Sequence, residues 1–266
     1  MEFLKLYCCY IRMFIKARME YRFSFFAGMF ANFYCYFITY ITFWVIVRHF
    51  GSLGGWSFEE MTILYGLNLF TYSFSTVLYW YNVYHLEDMI TTGRLDGFLI
   101  RPMGVLKQLV CSRFGDTSLG QIAVTLIFMI WALSSVSYQL TPLSYVYLAF
   151  AVVGGVLIQS GAMIMIGAMS FWTLRSGGIG DMLYYDLRTF VHYPLSIYPA
   201  FVRVALTFVL PWAFINYYPS LILLNRVETT GQFVLGMIAP LVGVAFFGLA
   251  LFVFHKGLSR YSGSGS

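Results

Sequence analysis

Residues 143–174 read LSYVYLAFAVVGGVLIQSGAMIMIGAMSFWTL, thirty-two positions without one charged side chain. A helix rising about 1.5 Å per residue needs about 20 residues to cross a hydrocarbon core about 30 Å thick. This run exceeds that length and is too long for one straight perpendicular crossing. Gly154 and Gly155 are the place where it can tilt or bend. Working outward, five more runs of similar character lie at about residues 23–47, 61–83, 117–136, 190–214 and 231–254. The chain of 266 residues is 60% apolar, 20% aromatic and only 10% charged, with a mean hydropathy of +0.75. These features predict an all-α integral membrane protein with six transmembrane helices.

Lysine and arginine positions orient the predicted spans. With the amino terminus placed inside, segments 1–22, 84–116, 175–188 and 255–261 carry thirteen basic residues, and the outer loops carry Arg48 and Arg226 alone. That asymmetry is the positive-inside pattern, and it puts both termini in the cytoplasm. The pI near 9.0 and net charge of +5 therefore describe topology. The basic residues form no stripe interleaved with aromatics, so nucleic acid is not an expected partner.

The first 22 residues place Lys5, Arg12, Lys16 and Glu20 on one helical stripe and Phe3, Leu6, Tyr7, Tyr10, Phe14, Ala17 and Tyr21 opposite. The pattern reads as an amphipathic helix lying in the inner interface, with a simple topology-setting basic flank as the alternative. Basic residues spread through this segment with no short apolar core before a cleavage site, so it is not a removable signal. The tail SGSGS, 262–266, reads as a linker and is set aside.

Several chemistries are not encoded. The chain has no GxxxxGK[ST] and no Gly-Lys dipeptide, so it cannot cradle nucleotide phosphates by that loop. Residues 175–181, RSGGIGD, are glycine-rich but follow an apolar run, and Asp181 would repel phosphate; they read as a flexible inner loop. His49, His85, His192 and His255 stand apart with no HExxH or Ser-His-Asp grouping. Cys8, Cys9, Cys35 and Cys111 contain no CxxC pair and read as reduced structural thiols, not metal ligands. The chain is therefore not expected to be an enzyme, to bind a metal or to hold a cofactor. An ion relay is also unsupported, because Arg203 is the one ionisable residue inside a predicted span. Either Arg203 faces protein or water, or Pro194 and Pro199 end an inner amphipathic helix and the span starts later.

Two segments interrupt the apolar pattern. In 207–224, TFVLPWAFINYYPSLILL, Pro211 and Pro219 break backbone hydrogen bonding and enclose Asn216, Tyr217 and Tyr218. Lipid does not tolerate exposed irregular backbone, so this stretch is either an outer interfacial belt or a re-entrant hairpin packed on protein. In 84–102, Leu86, Met89 and Ile90 share one face of a short helix that begins with Glu87 and Asp88. The decapeptide GRLDGFLIRP follows. Gly93 and Gly97 permit turns, Pro102 ends the element, and Arg94, Asp96 and Arg101 surround Leu95, Phe98 and Leu99. Charges alone would make a solvated loop; mixed charge with large apolar residues reads as a docking knob.

Six spans, the interfacial helix, GRLDGFLIRP between spans two and three, and YPLSIYP followed by FVLPWAFINYYPS together resemble the permease subunits of type-2 ATP-binding-cassette (ABC) transporters, in particular bacterial exporter permeases. The resemblance covers essentially the whole chain. It implies that Glu87 to Pro102 is a coupling helix docking on a separate ATPase subunit, with Glu87, Asp88, Gly93, Arg94, Asp96, Phe98, Leu99, Arg101 and Pro102 as the candidate coupling residues. It implies that residues 1–22, with Lys5, Arg12 and Lys16, form the connecting helix. It further implies that Pro211, Asn216, Tyr217 and Pro219 belong to an outer re-entrant hairpin, and Arg203 is grouped with them as a candidate translocation residue, its two placements left open. ATP and magnesium would be bound by the ATPase partner, and a second, different permease would complete a heterodimer in the bacterial plasma membrane. The cargo implied is a drug, peptide or lipid of hydrophobic or amphipathic character. A secondary transporter or channel working without ATP is the alternative, and an intramembrane enzyme is a third reading for which no nucleophile or metal group can be assembled.

Overall fold

The computed structural model of the chain describes residues 2–136, 141–173 and 177–261. It is helical throughout, and no strand occurs among the described residues. Helix α1, Glu2–Arg18, meets α2, Arg22–Phe50, through a single 3₁₀ turn at Met19–Tyr21. A loop leads to α3, Phe58–Tyr79, which passes through a π-turn, Trp80–Tyr84, into the short α4, Leu86–Thr91, and α5, Asp96–Leu99. Helix α6, Val105–Ser112, precedes α7, Ser118–Ser135, and α8, Pro142–Met169. The following segment joins α9, Gly177–Asp181, a π-turn at Met182–Asp186, α10, Leu187–Thr189, and a 3₁₀ turn ending at His192. Then come α11, Ala200–Val204, α12, Tyr217–Leu223, and α13, Thr230–Leu258.

Four helical stretches are long and apolar enough to cross a membrane: Tyr10–Phe50, Ser118–Ser135, Pro142–Met169 and Thr230–Leu258. A fifth candidate, Ala200–Val209 with Pro211–Leu223, is bent by 76°. The run 190–214 is therefore not one straight helix. Pro194 and Pro199 hold its first part in turns, and the bend falls at Leu210, just before Pro211. RSGGIGD differs too: Gly177–Asp181 is helical, while Arg175 and Ser176 lie outside the described residues.

Helix α3 is the axis of the molecule. Sixteen of its 22 residues are buried, among them Asn68, Thr71, Ser73, Ser75 and Thr76. Too polar to count among the apolar spans, it is enclosed by α2, α7, α8 and α12. Its polar side chains find partners across these interfaces. Ser73 donates to Gln121 Oε1 (3.2 Å), Gln121 donates to Asn32 Oδ1 (3.0 Å), and Ser75 donates to the Val156 carbonyl (3.1 Å). Thr76 and Ser118 share a 3.0 Å hydrogen bond. Its start is fixed by a capping box in which Ser57 and Glu60 satisfy each other's backbone N–H groups.

Apolar packing surrounds this axis. Tyr40 stacks on Phe128 at 4.2 Å between α2 and α7, and Tyr65 meets both Tyr40 and Phe43 edge-on. Helices α8 and α13 touch backbone to backbone, because a methyl on Gly243 would strike Gly154 and one on Gly154 would strike Pro240. The glycine pair read in the sequence as a bending point lies within the continuous helix α8 and serves helix approach.

The two ends of the bundle are distinct. At one end Arg226 reaches Glu60 and Gly55, Trp56 meets Tyr217, and Ser196 and Ile197 crowd Gly54. At the other, Leu86, Met89, Ile90 and Leu95 pack with Leu109, Ile164 and Phe254. Phe14 meets Phe114 there, and Arg18 pairs with Asp116 at 3.1 Å.

Candidate functional site

The knob is built by helix α4, a turn and helix α5. Leu86, Met89 and Ile90 face the bundle as the helical spacing predicts, while Asp88 is exposed and Glu87 half-buried. Gly93 reverses the chain with φ +67°, a left-handed conformation that a side chain disfavours. Gly97 instead sits inside α5, so it is not the second turn. Leu95 is fully buried and belongs to the core, contrary to its assignment as a docking side chain. The apolar surface that the knob offers is Leu99, 45% exposed, and Ile100, 86% exposed, with Phe98 half-buried behind them. Ile100 was missed by sequence reasoning; its place between an exposed leucine and Arg101 was the available signal.

Polar contacts make the knob rigid. Gln108 from α6 donates to the carbonyls of Phe98 and Met103. Asp96 accepts a 2.9 Å hydrogen bond from Tyr261, so its carboxylate is tied to the segment after α13. Arg94 donates to Thr92 at 2.9 Å, and the Arg101 guanidinium lies 5.5 Å from the Phe98 ring. Arg94, Arg101 and Pro102 are all exposed.

Helix α1 approaches the same end. Arg12 and Lys16 point to the surface, and the side chain of Lys5 lies outside the described residues. Arg18 forms the contact that sequence reasoning overlooked, an ion pair with Asp116 that is 2% exposed. Cys111 is a free thiol on α6 whose pKa burial pushes up, which suits an inert structural cysteine. No group of three or more metal-ligating side chains occurs among the described residues.

At the opposite end the Pro211–Pro219 segment is packed on protein. Pro211 to Leu221 are all buried. Asn216 holds the turn by donating to the carbonyls of Val191 (2.6 Å) and Leu64 (3.2 Å), and Thr207 meets the Tyr218 hydroxyl at 3.1 Å. Arg203 lies with Ser196, Tyr217, Arg226 and Glu228 around a cleft of about 430 Å³. It is exposed at the end opposite the knob.

The π-turns at Trp80–Tyr84 and Met182–Asp186 meet beside the knob. The Tyr84 hydroxyl donates to Asp181 Oδ1 at 2.8 Å, and its ring lies 5.8 Å from that of Tyr184. π-turns interrupt regular helical bonding and concentrate at functional positions. A methyl on Gly167 would collide with the Val83 carbonyl, so α8 is shaped to receive the first of these turns. Above it lies the feature that sequence reasoning misplaced. Arg188, counted as an inner loop charge, is 6% exposed and sits among tyrosines, its guanidinium 3.6 Å from the Tyr72 ring centroid.

The described elements thus join an exposed knob to the polar interior of a bundle of apolar helices. The ABC-2 family transporter protein family matches residues 33–265. The chain belongs to this family. It is a multi-pass membrane protein and a permease subunit of an ABC transporter, the membrane component that works with an ATPase subunit. No curated protein and no solved structure is significantly similar to the permease.

Proposed function

We propose that this permease moves a hydrophobic or amphipathic molecule outward across the bacterial plasma membrane, driven by ATP hydrolysis on a separate subunit that holds the ATP and magnesium. Residues 84–102 act as the coupling helix. The observation that carries this reading is the construction of the knob: its core face is anchored by Leu86, Met89, Ile90 and Leu95, and it leaves Leu99, Ile100 and two arginines outside. A solvated loop has no need of the Gln108 clamp or of an isoleucine 86% exposed. Displacement of such a rigid knob is transmitted into the bundle through the π-turn at Trp80–Tyr84, which hydrogen-bonds Asp181.

In this reading the membrane is crossed six times. Helices α2, α3, α7, α8 and α13 supply five crossings, and the fifth in chain order starts at Gly177, not at residue 190. Residues 200–223 are the re-entrant hairpin at the outer end, and the termini are cytoplasmic. A second permease completes the pathway, and a different chain is the expected partner.

Association tests the assignment. Tagged permease co-expressed with its ATPase subunit should retain it on purification, and Ile100→Asp with Arg94→Ala and Arg101→Ala should release it while the permease stays monodisperse. ATPase retained in full by the triple variant removes residues 84–102 from the coupling role.

A further inference from the structure

Arg188 is a buried cation. No carboxylate pairs with it among the described residues, and its Nε and Nη1 have no hydrogen-bond acceptor there. Placing a charge inside a span costs about 2.5–3.5 kcal/mol on insertion scales, so such residues are kept where they bind something. The surroundings offset part of that cost. Tyr72 supplies a ring face at 3.6 Å and Tyr184 another at 5.9 Å, and Tyr36 and Tyr65 lie near.

Two polar groups in the neighbourhood of Tyr184 leave a donor unpaired among the described residues. The Tyr184 hydroxyl donates to Gln159 Oε1 at 2.7 Å, and Gln159 in turn donates to Asn68 Oδ1 at 3.1 Å, so both acceptors are used. The Nδ2 of Asn68 has no acceptor among the described residues. The Trp212 ring lies 5.6 Å from that of Tyr184, and its Nε1 also has no acceptor among the described residues. Three buried residues from three segments therefore bring unused N–H donors to the vicinity of Tyr184, beside a fixed positive charge. A buried donor with no acceptor costs about 1–3 kcal/mol, and several together define a place suited to an oxyanion.

We propose that Arg188, with Asn68 and Trp212, is an anion-recognition site in the transport pathway, taking the acidic oxygen head group of an amphipathic cargo whose tail occupies apolar surface. The proposal rests on the permease reading above and narrows its cargo to anionic amphiphiles. The site is closed in this structure. It opens where α3 and the 177–192 segment part; α3 runs into one π-turn and the 177–192 segment contains the other. Knob movement and anion access are thus served by the same two interruptions in helical bonding.

Binding to the full chain in phosphatidylcholine nanodiscs tests this, with empty nanodiscs as background and no ATPase present. The probes are dodecyl phosphate, dodecanoate and uncharged dodecanol. The wild type should bind one or both anions about tenfold more tightly than dodecanol, as charge-assisted hydrogen bonds allow. Whichever anion is preferred identifies the head group as phosphate or carboxylate. Arg188→Gln should erase the preference, Arg188→Lys should keep part of it, and Trp212→Phe should weaken anion binding alone. Equal binding of anions and dodecanol by the wild type overturns the proposal, and so does an undiminished preference in Arg188→Gln. If Arg188→Gln does not fold, undiminished anion preference in both Arg188→Lys and Trp212→Phe overturns it instead. Because no ATPase is present, failure here leaves the coupling assignment untouched, and loss of ATPase association leaves this result standing.

Discussion

Arg226 holds two segments with one side chain. Its Nε meets Glu60 Oε1 at 2.6 Å, its Nη2 donates to the Gly55 carbonyl at 2.8 Å, and its guanidinium lies 5.2 Å from the Trp56 ring. Glu60 is 5% exposed and also caps α3, so removing the arginine leaves a buried carboxylate short of its cation. Hydrogen bonds to charged groups contribute about 1.5–3 kcal/mol, and the partial exposure of Arg226 argues for the lower half of that range. Arg226→Ala is predicted to destabilise the permease by about 2 kcal/mol. Arg226→Lys should recover less than half, since a single ammonium does not reproduce the planar fork that reaches both acceptors. Thermal denaturation in one detergent measures both, and an Arg226→Ala midpoint equal to wild type would show that this end needs no latch. None of these partners was legible in the sequence, where Arg226 is an outer loop charge. The pairing depends on a separation of 166 residues that no local pattern encodes.

Among the elements, helix α13 shows where periodicity stops being informative. It is apolar on all sides, so its sequence does not say which glycines meet a neighbour and which meet lipid. Gly243 is pressed against the Gly154 backbone, whereas a methyl on Gly248 meets nothing within 4 Å. Gly243→Ala should therefore cost about 1–3 kcal/mol by forcing α8 and α13 apart. Gly248→Ala should be neutral or slightly stabilising, by up to about 1 kcal/mol of helix propensity. Similar unfolding midpoints for the two variants would show that the α8–α13 contact is not set by glycine. The knob was easier to read, because Gly93, Pro102 and the spacing of Leu86, Met89 and Ile90 are local signals. The inward turn of Leu95 was not, since α5 is only four residues long and has no periodicity to report. The segment from Gly177 to His192 was misread for a physical reason. Asp181, Asp186 and Arg188 resemble a cytoplasmic loop in a linear scan, and it is the ring of Tyr72 on α3, with Tyr184 of the same segment, that makes Arg188 an interior residue.

For the whole molecule, the separation of its two ends gives a topological prediction. Ser52 and Glu228 are exposed at the end that carries Arg226, and Arg94 is exposed on the knob. With native cysteines replaced, Ser52→Cys and Glu228→Cys should react with an impermeant maleimide in intact cells, and Arg94→Cys only after the membrane is opened. Labelling of all three from one side would contradict six crossings. The all-helical class and the apolar runs at α2, α7, α8 and α13 were legible because lipid exposure demands uniform apolarity. Helix α3 was legible only as a stretch poor in charge, because its neighbours, not lipid, solvate it.

That solvation by neighbours bears on how the chain is made. A nascent helix leaves an insertion channel for lipid when its own side chains favour the move, and α2 meets that condition unaided. Helix α3 presents Asn68, Thr71, Ser73, Ser75 and Thr76, whose partners Gln121, Ser118, Val156 and Ser160 lie on helices not yet synthesised. The segment bearing Arg188 relies in turn on the ring of Tyr72, on α3. Biogenesis of this permease is thus cooperative: the polar helix α3 waits in a protected environment until α7 and α8 arrive to enclose it.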